Sequence, residues 1–268
     1  MRVRRHNARM TAIHDSAAGG YAQAAGTYAS GRPGYPEQTV RWLRDVVGLA
    51  PGRSVLDLGA GTGKFAPRLL ETGARVVAVE PVAAMRAELA RRHPGVELHG
   101  GTAEAIPLAD ASMDAVVCAQ SFHWFATAQA LSGIRRVLVR DGVLGLVWNV
   151  RDETVPWVAA LSAITNAHEA GTPRYHGGEW RRVLPGDGFV LVDDRTVRSA
   201  HVGPVEQVVV QRTLSVSFIA ALPEARRGEV ERQVRALVEA TPALAGASEV
   251  AFPYRTRMVA LRRREDAV

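Results

Sequence analysis

Between residues 54 and 148 the chain alternates short apolar runs with stretches of helical spacing. Ser54–Leu58, Val76–Val79, Val96–Leu98, Asp114–Ala119 and Val143–Trp148 each read as a strand. Met85 and Leu89, then Leu131, Ile134 and Leu138, mark helix faces between them. Strands this continuously apolar are buried on both faces, and intervening helices are what cover them. The pattern therefore predicts an α/β fold on a mostly parallel sheet. Phe189–His201 and Phe252–Leu261 add two further strand candidates. A helix follows Pro36, carrying Val40, Leu43 and Val47, and Gly52 stops it. Residues 155–170, with Thr154 placed to cap them, and residues 205–240 also read as helical.

The first strand runs into the densest motif of the chain, Asp57-Leu58-Gly59-Ala60-Gly61-Thr62-Gly63. Glycines at a strand-to-helix turn permit positive φ and let a ligand approach the backbone. A helix N-terminus beyond such a turn offers N–H groups to an anion. Glu80 ends the next strand, where a carboxylate can accept from both hydroxyls of a ribose. A phosphate-binding P-loop fails at Leu58 and Phe65, although Gly63-Lys64 fits it. The dinucleotide pattern fails at Lys64, which stands where its third glycine belongs. What remains suits a nucleoside with an amino-acid tail, its ammonium facing Asp57 directly or through water.

Asp57–Gly63 with Glu80 resembles the first two motifs of the class I S-adenosylmethionine-dependent methyltransferases. Gly101-Thr102-Ala103-Glu104-Ala105-Ile106-Pro107 is similar to the third. Ala119-Gln120-Ser121-Phe122-His123-Trp124-Phe125 resembles a segment of a small-molecule subgroup related to the UbiE-like and trans-aconitate methyltransferases, with Ser121 in place of the more usual Ala. Tyr21, Tyr28 and Arg32-Pro33-Gly34-Tyr35-Pro36 resemble the lid of that subgroup. Trp148–Asp152 and Phe252–Thr256 resemble its later landmarks. The resemblance spans about residues 21–262 and implies a Rossmann-like, seven-stranded, mostly parallel sheet with helices on both faces, an N-terminal lid and helical cap insertions. The implied organisation is a basic tail (1–20), lid and first helix (21–50), cofactor-binding core (51–152), a cap insertion (153–188), two last strands (189–201 and 252–262) around a helical cap insertion (202–251), and a tail (263–268).

The resemblance also implies roles. Gly59, Gly61 and Gly63, with Ala60, pass close to the methionine and ribose of S-adenosylmethionine. Asp57 stands near the ammonium, and Glu80, followed by Pro81, holds the ribose. Thr102, Ala103 and Glu104 border the adenine, and Gln120 presents a backbone group to the methionyl end. Tyr28 and Arg32 close over the cofactor, the arginine forking onto its carboxylate. His123 and Trp124, just past the fourth strand, face the acceptor, with His123 the first candidate for a base if the acceptor must lose a proton. His168, Tyr175 and His176 in the cap are acceptor-binding candidates. The expected reaction is SN2 transfer of the methyl to an O, N or C nucleophile of a small molecule, of the kind made in specialised biosynthesis, releasing S-adenosylhomocysteine.

Composition bounds the alternatives. With 47% hydrophobic and 22% charged residues in 268, the chain is too apolar to be disordered, and its length suits one large domain or one domain with a cap. No apolar run reaches the ~20 residues of a membrane span. Cys118 is the single cysteine and no leading apolar segment is present, so the chain reads as cytoplasmic. Its histidines lack ligand spacing, so no metal site is expected. A pI near 10.2 raises nucleic acid as a partner. Of the net charge of +6, however, four charges sit on Arg2, Arg4, Arg5 and Arg9, and one remains from Arg262–Arg264 against Glu265 and Asp266. The body is nearly neutral, which disfavours nucleic acid. An RNA methyltransferase using the arginine tails and a non-catalytic protein that binds S-adenosylmethionine remain as alternatives.

Overall fold

The computed structural model describes residues 33–169, 173–185 and 188–264. Among these, seven strands form one sheet in the order β3-β2-β1-β4-β5-β7-β6. They are β1 (Ser54–Leu58), β2 (Arg75–Val79), β3 (Glu97–His99), β4 (Met113–Ala119), β5 (Leu138–Arg151), β6 (Phe189–Pro204) and β7 (Glu249–Arg263). β1 to β5 are mutually parallel, and β7 runs antiparallel between β5 and β6. The α/β architecture expected from the apolar runs is the one observed. The chain winds outward from β1 in both directions, so the strand order reverses between β1 and β4. Ligands of open α/β sheets bind at such a reversal, beyond the carboxyl ends of the strands.

Helices cover both faces. α1 (Gln38–Asp45), α2 (Ala66–Leu70) and α3 (Ala83–Arg92) pack on the face of Val55, Val76, Val117 and Val147. α4 (Ala128–Val137) packs on the opposite face, against Leu56, Val116 and Leu144. Trp42 of α1 is buried over Gly145, where an added Cβ would stand 3.2 Å from its ring. Its indole N–H reaches across to Asp193 Oδ2 at 2.9 Å, at the bulge near the start of β6. The lid residues Tyr21, Tyr28 and Arg32 and the leader lie outside the described residues.

The cap grows from an arm. β6 and β7 continue as a pair from Ala200↔Pro253 to Pro204↔Glu249, past the end of β5. At its tip the chain makes a π-helical stretch, Glu206–Gln211, then α6 (Arg212–Leu214), α7 (Ser217–Ala220) and α8 (Glu224–Ala240). α5 (Pro156–Asn166) joins them over a third apolar cluster that includes Val158, Leu161, Val209, Ile219, Val230 and Phe252.

Local details depart from the expectations. The helix after the glycine turn is the five-residue α2, too short for an extended anion-facing N-terminus. Leu138, read as a helical position, takes extended backbone and opens β5. Thr154 does not cap α5; its hydroxyl donates to Asp152 Oδ1 at 2.7 Å, and Val155 is the N-cap. The stretch 205–240 breaks at Ser215 and again at Pro223, whose side chain cannot continue a helix. No helix among the described residues is long and apolar enough to cross a membrane.

Candidate functional site

The turn after β1 contains three residues of positive φ, Gly59 (71°), Gly61 (57°) and Gly63 (77°). Their surroundings differ. A Cβ on Gly59 would stand 2.8 Å from Ser121 Cβ and 3.2 Å from the Phe125 ring. One on Gly63 would meet His93 and Leu89 of α3 at 2.8 and 2.9 Å. Gly59 and Gly63 are thus needed for packing against protein as well as for their backbone angles. Only at Gly61 does the missing side chain face open space, with nothing nearer than Met85 Sδ at 3.9 Å.

Glu80 ties this turn to β2. Its Oε2 accepts the Gly61 N–H and its Oε1 the Val82 N–H, each at 2.9 Å. Arg86 donates to the carbonyls of Glu80 and Pro81 at 2.9 and 2.8 Å, fixing the loop from below. Glu80 is 5% exposed, and burial raises its carboxyl above the usual range despite the Val82 and Gly61 N–H groups and Arg86. Each carboxylate oxygen has a second lone pair, so two more donors can be received.

Asp57 is 1% exposed, and neither of its carboxylate oxygens has a hydrogen-bond partner. Burial, then the neighbouring Glu80, pushes its carboxyl up to about 7. A buried carboxylate without donors is costly unless a cation or donor arrives to meet it. Nearby, the Ser121 hydroxyl donates to Leu58 O at 2.7 Å, binding the end of β4 to the end of β1.

Gln120, at the end of β4, has φ of 59°. A non-glycine residue there is uncommon and concentrates at functional turns. Its N–H is bonded to Val147 O and its side-chain amide to Asn149 O, both at 2.8 Å. The side chain is therefore anchored to β5, and the turn carries Phe122–Trp124 across the sheet edge. Thr102 bridges to Ala105 after β3, with Ala103 buried and Glu104 half-buried.

His123 meets Trp148, whose indole N–H donates to His123 Nδ1 at 3.3 Å. With Nδ1 accepting, the neutral ring carries its proton on Nε2, as assigned from this bond. That tautomer makes His123 a donor through Nε2. Trp148 packs against Trp180 (4.4 Å) and Tyr175 (5.1 Å), and His123 lies 5.4 Å from Trp124. The Tyr175 hydroxyl accepts from Arg257 at 3.1 Å, itself paired with Asp194 at 2.6 Å. Tyr175 lines an open groove of about 730 Å³ with Val150, Asp152, Asp194, Arg255 and Arg257. His176 turns to Glu169 at 3.1 Å, and His168 sits in the turn ending α5. Neither histidine is joined to the glycine turn. Among the described residues no three His, Cys, Asp or Glu side chains converge on a common point.

One set of polar residues had no role assigned from the sequence. Asn149 donates to Gly34 O at 3.0 Å, Thr256 to Asn149 Oδ1 at 2.7 Å, and Ser199 Oγ lies 3.0 Å from Thr256 Oγ1. This ladder crosses β5, β7 and β6 on one face. In the next row Arg151 pairs with Tyr254 and Tyr254 with Ser199. Arg151 donates to Thr165 at 3.2 Å and lies 6.0 Å from the Phe252 ring. Trp148–Asp152 and Phe252–Thr256 carried the signal as motifs, but only antiparallel register brings them side by side.

Residues 56–146 match the family model described as a methyltransferase domain. An uncharacterised methyltransferase-like protein of Schizosaccharomyces pombe is 36% identical over 232 residues, covering 85% of this chain and 90% of that protein. An uncharacterised methyltransferase of Mycobacterium tuberculosis is 40% identical over 237 residues, covering 88% of this chain and 92% of its own length. In fold, the chain is similar to the YcgJ protein of Bacillus subtilis, with a TM-score of 0.56 at 17% identity, covering 86% of this chain and 100% of that one.

Proposed function

The chain belongs to the S-adenosylmethionine-dependent methyltransferases, and from that premise we propose that it transfers a methyl group to an O, N or C nucleophile of a small molecule. The observation that carries the cofactor's placement is the buried, partnerless Asp57 carboxylate beside the Glu80–Gly61 bond. The donor set fits. Asp57 would hold the ammonium, and Glu80 would receive the ribose hydroxyls on its remaining lone pairs. The open side of Gly61 would admit the ligand to the backbone. Ala103 and Glu104 would border the adenine, and Gln120 would hold the sheet edge in shape beneath the methionyl end.

S-adenosylmethionine, when bound, supplies a methyl already activated by its sulfonium. The chain's own task is to hold the acceptor in line with it, and such positioning contributes about 7–11 kcal/mol in well-oriented systems. His123, its Nδ1 engaged by Trp148, would orient the acceptor as an Nε2–H donor. A small acceptor is supported by the helical cap on the β6–β7 arm and by a body nearly neutral in charge. A groove for nucleic acid needs clustered basic charge on a folded face.

The test is release of S-adenosylhomocysteine by the full chain against a panel of hydroxyl-, amine- and activated-carbon metabolites, with transfer RNA and ribosomal RNA as further arms. The reading expects turnover on a small molecule. Turnover confined to RNA, or binding of S-adenosylmethionine with no product in any arm, would overturn it.

A further inference from the structure

The polar ladder across β6, β7 and β5 has a direction. The Gly34 carbonyl can only accept, so the Asn149 side chain turns its Nδ2 toward it, at 3.0 Å, and its Oδ1 toward Thr256. Thr256 Oγ1 therefore donates to Asn149, at 2.7 Å, and its one proton is spent there. Ser199 Oγ, 3.0 Å from Thr256 Oγ1, is left as the donor to it. Thr256 is 0% exposed, so its hydroxyl is shielded from competing water. The protons thus run from Ser199 through Thr256 to Asn149, and they aim the Asn149 amide at the segment that leads into α1.

That amide is one half of a larger junction. The carbonyl of the same residue accepts from Gln120 Nε2 at 2.8 Å, holding the turn in which Gln120 has a φ of 59°. Next to Gln120, Ser121 donates to Leu58 O at 2.7 Å and fills the space a Cβ on Gly59 would need. On the other arm, Gly34 leads to Tyr35. The Tyr35 carbonyl accepts from Arg68 Nε of α2 at 2.9 Å, and its ring meets Phe65 edge-on at 4.6 Å. Phe65 is the N-cap of α2, just past Gly63 and Lys64. Asn149 therefore reaches both ends of the glycine turn, the Gly59 end through Gln120 and Ser121 and the Gly63 end through Gly34, Tyr35 and Phe65. Gly61, between them, stays open.

We propose that Asn149 is a positioning residue of the cofactor site: it holds the two ends of the glycine turn in register, so that Gly61 and Glu80 meet the cofactor at a fixed spacing. This rests on the methyltransferase reading of that turn. It gives Asn149, Thr256 and Ser199 a function that none of the cofactor motifs assigns. The bond to Gln120 uses the Asn149 backbone and survives substitution there, so side-chain variants read the Gly34 arm alone.

The experiment titrates the full chain with S-adenosylhomocysteine by calorimetry, at a temperature where thermal melting shows every variant folded. Asn149→Asp at pH 8 keeps an acceptor for Thr256 but sets an ionised oxygen against the Gly34 carbonyl. It should weaken S-adenosylhomocysteine by about fivefold or more, the scale of one hydrogen bond. Thr256→Val removes the hydroxyl that orients the amide and should act in the same direction, which keeps the test open if Asn149→Asp folds poorly. Thr256→Ser restores the hydroxyl and should regain most of the affinity. Ser199→Ala leaves Thr256 its own proton and should cost clearly less than Thr256→Val. Because Asn149→Asp and Thr256→Val break one bond, the double variant should lose little more than the worse single one. A fall in Tm with wild-type affinity in both Asn149→Asp and Thr256→Val would make the ladder a brace of the sheet only, and would overturn the proposal. So would Thr256→Ser binding as weakly as Thr256→Val, Ser199→Ala costing as much, or fully additive losses in the double variant. Failure of S-adenosylhomocysteine to bind the wild type is a different result: it sinks the methyltransferase reading, and this proposal with it.

Discussion

Glu80 Oε2 accepts the Gly61 N–H at 2.9 Å, joining the carboxyl end of β2 to the one glycine of the turn that faces open space. This contact sets apart three glycines that look equivalent in sequence. Gly61→Ala adds a Cβ with room around it, at a modest backbone cost of about 1–2 kcal/mol, but places it where the cofactor must approach. Gly59→Ala and Gly63→Ala drive a Cβ to within 3 Å of neighbouring side chains. Calorimetry and thermal melting should separate them. Gly61→Ala loses cofactor affinity with a small change in Tm, whereas Gly59→Ala and Gly63→Ala lose Tm by several degrees. A Gly61→Ala protein with wild-type affinity would remove the turn from the cofactor site.

Glu80→Ala strips the acceptor from two backbone N–H groups as well as from the ribose. Hydrogen bonds to a charged group are worth about 1.5–3 kcal/mol each, so cofactor affinity should fall by more than tenfold. Glu80→Gln keeps the shape and one acceptor oxygen, so it should fall between the two in an equilibrium titration.

Asp57 makes cofactor affinity pH-dependent. In the ligand-free protein its carboxyl titrates near 7, and an arriving ammonium requires the ionised form. Below pH 7 binding must therefore expel a proton, and affinity should drop as pH falls. Titrations at pH 6 in two buffers of different ionisation enthalpy would read that proton. The linkage for folding has the opposite sign. A carboxyl whose folded value lies above its unfolded one, 3.8 here, stabilises below the unfolded value and loses that stability as pH rises to 7. Asp57→Asn should raise the Tm of ligand-free protein at pH 8, by several degrees, and give no gain near pH 3.5. The same variant should bind the cofactor poorly at every pH.

The Trp148–His123 bond predicts a mild phenotype for His123→Ala. A lost positioning donor should lower kcat by about tenfold or less, with the shape of the pH–rate profile kept. Loss of a general base would cost about 10²–10⁴ and remove the limb of the profile that reports it.

The parts legible in the sequence were those carried by neighbours along the chain. Ser54–Leu58 was bounded to the residue because its apolar run is local, and Asp57, Gly61 and Glu80 stood out because a βα turn brings them together over a short stretch. Asn149, Thr256 and Ser199 did not stand out as a group. Their association depends on β7 returning antiparallel between β5 and β6, and no spacing in the sequence encodes that register. The partner of His123 was illegible for the same reason, since it is an indole 25 residues away. The glycines misled differently. All three permit positive φ, but only a neighbour's side chain distinguishes the glycine that packs from the one that opens.

The strand order has a consequence for biosynthesis. β7 is the last of the seven described strands, yet it lies inside the sheet, with β5 on one side and β6 on the other. Until residues 249–263 leave the ribosome, β6 has no partner and the exposed edge of β5 remains a template for wrong pairing. The cofactor half, complete by β5, is able to form early, while the half that carries the cap must wait for β7. Truncation within β7 should therefore cost more than the removed residues suggest, because it leaves β6 without a partner and opens one edge of β5.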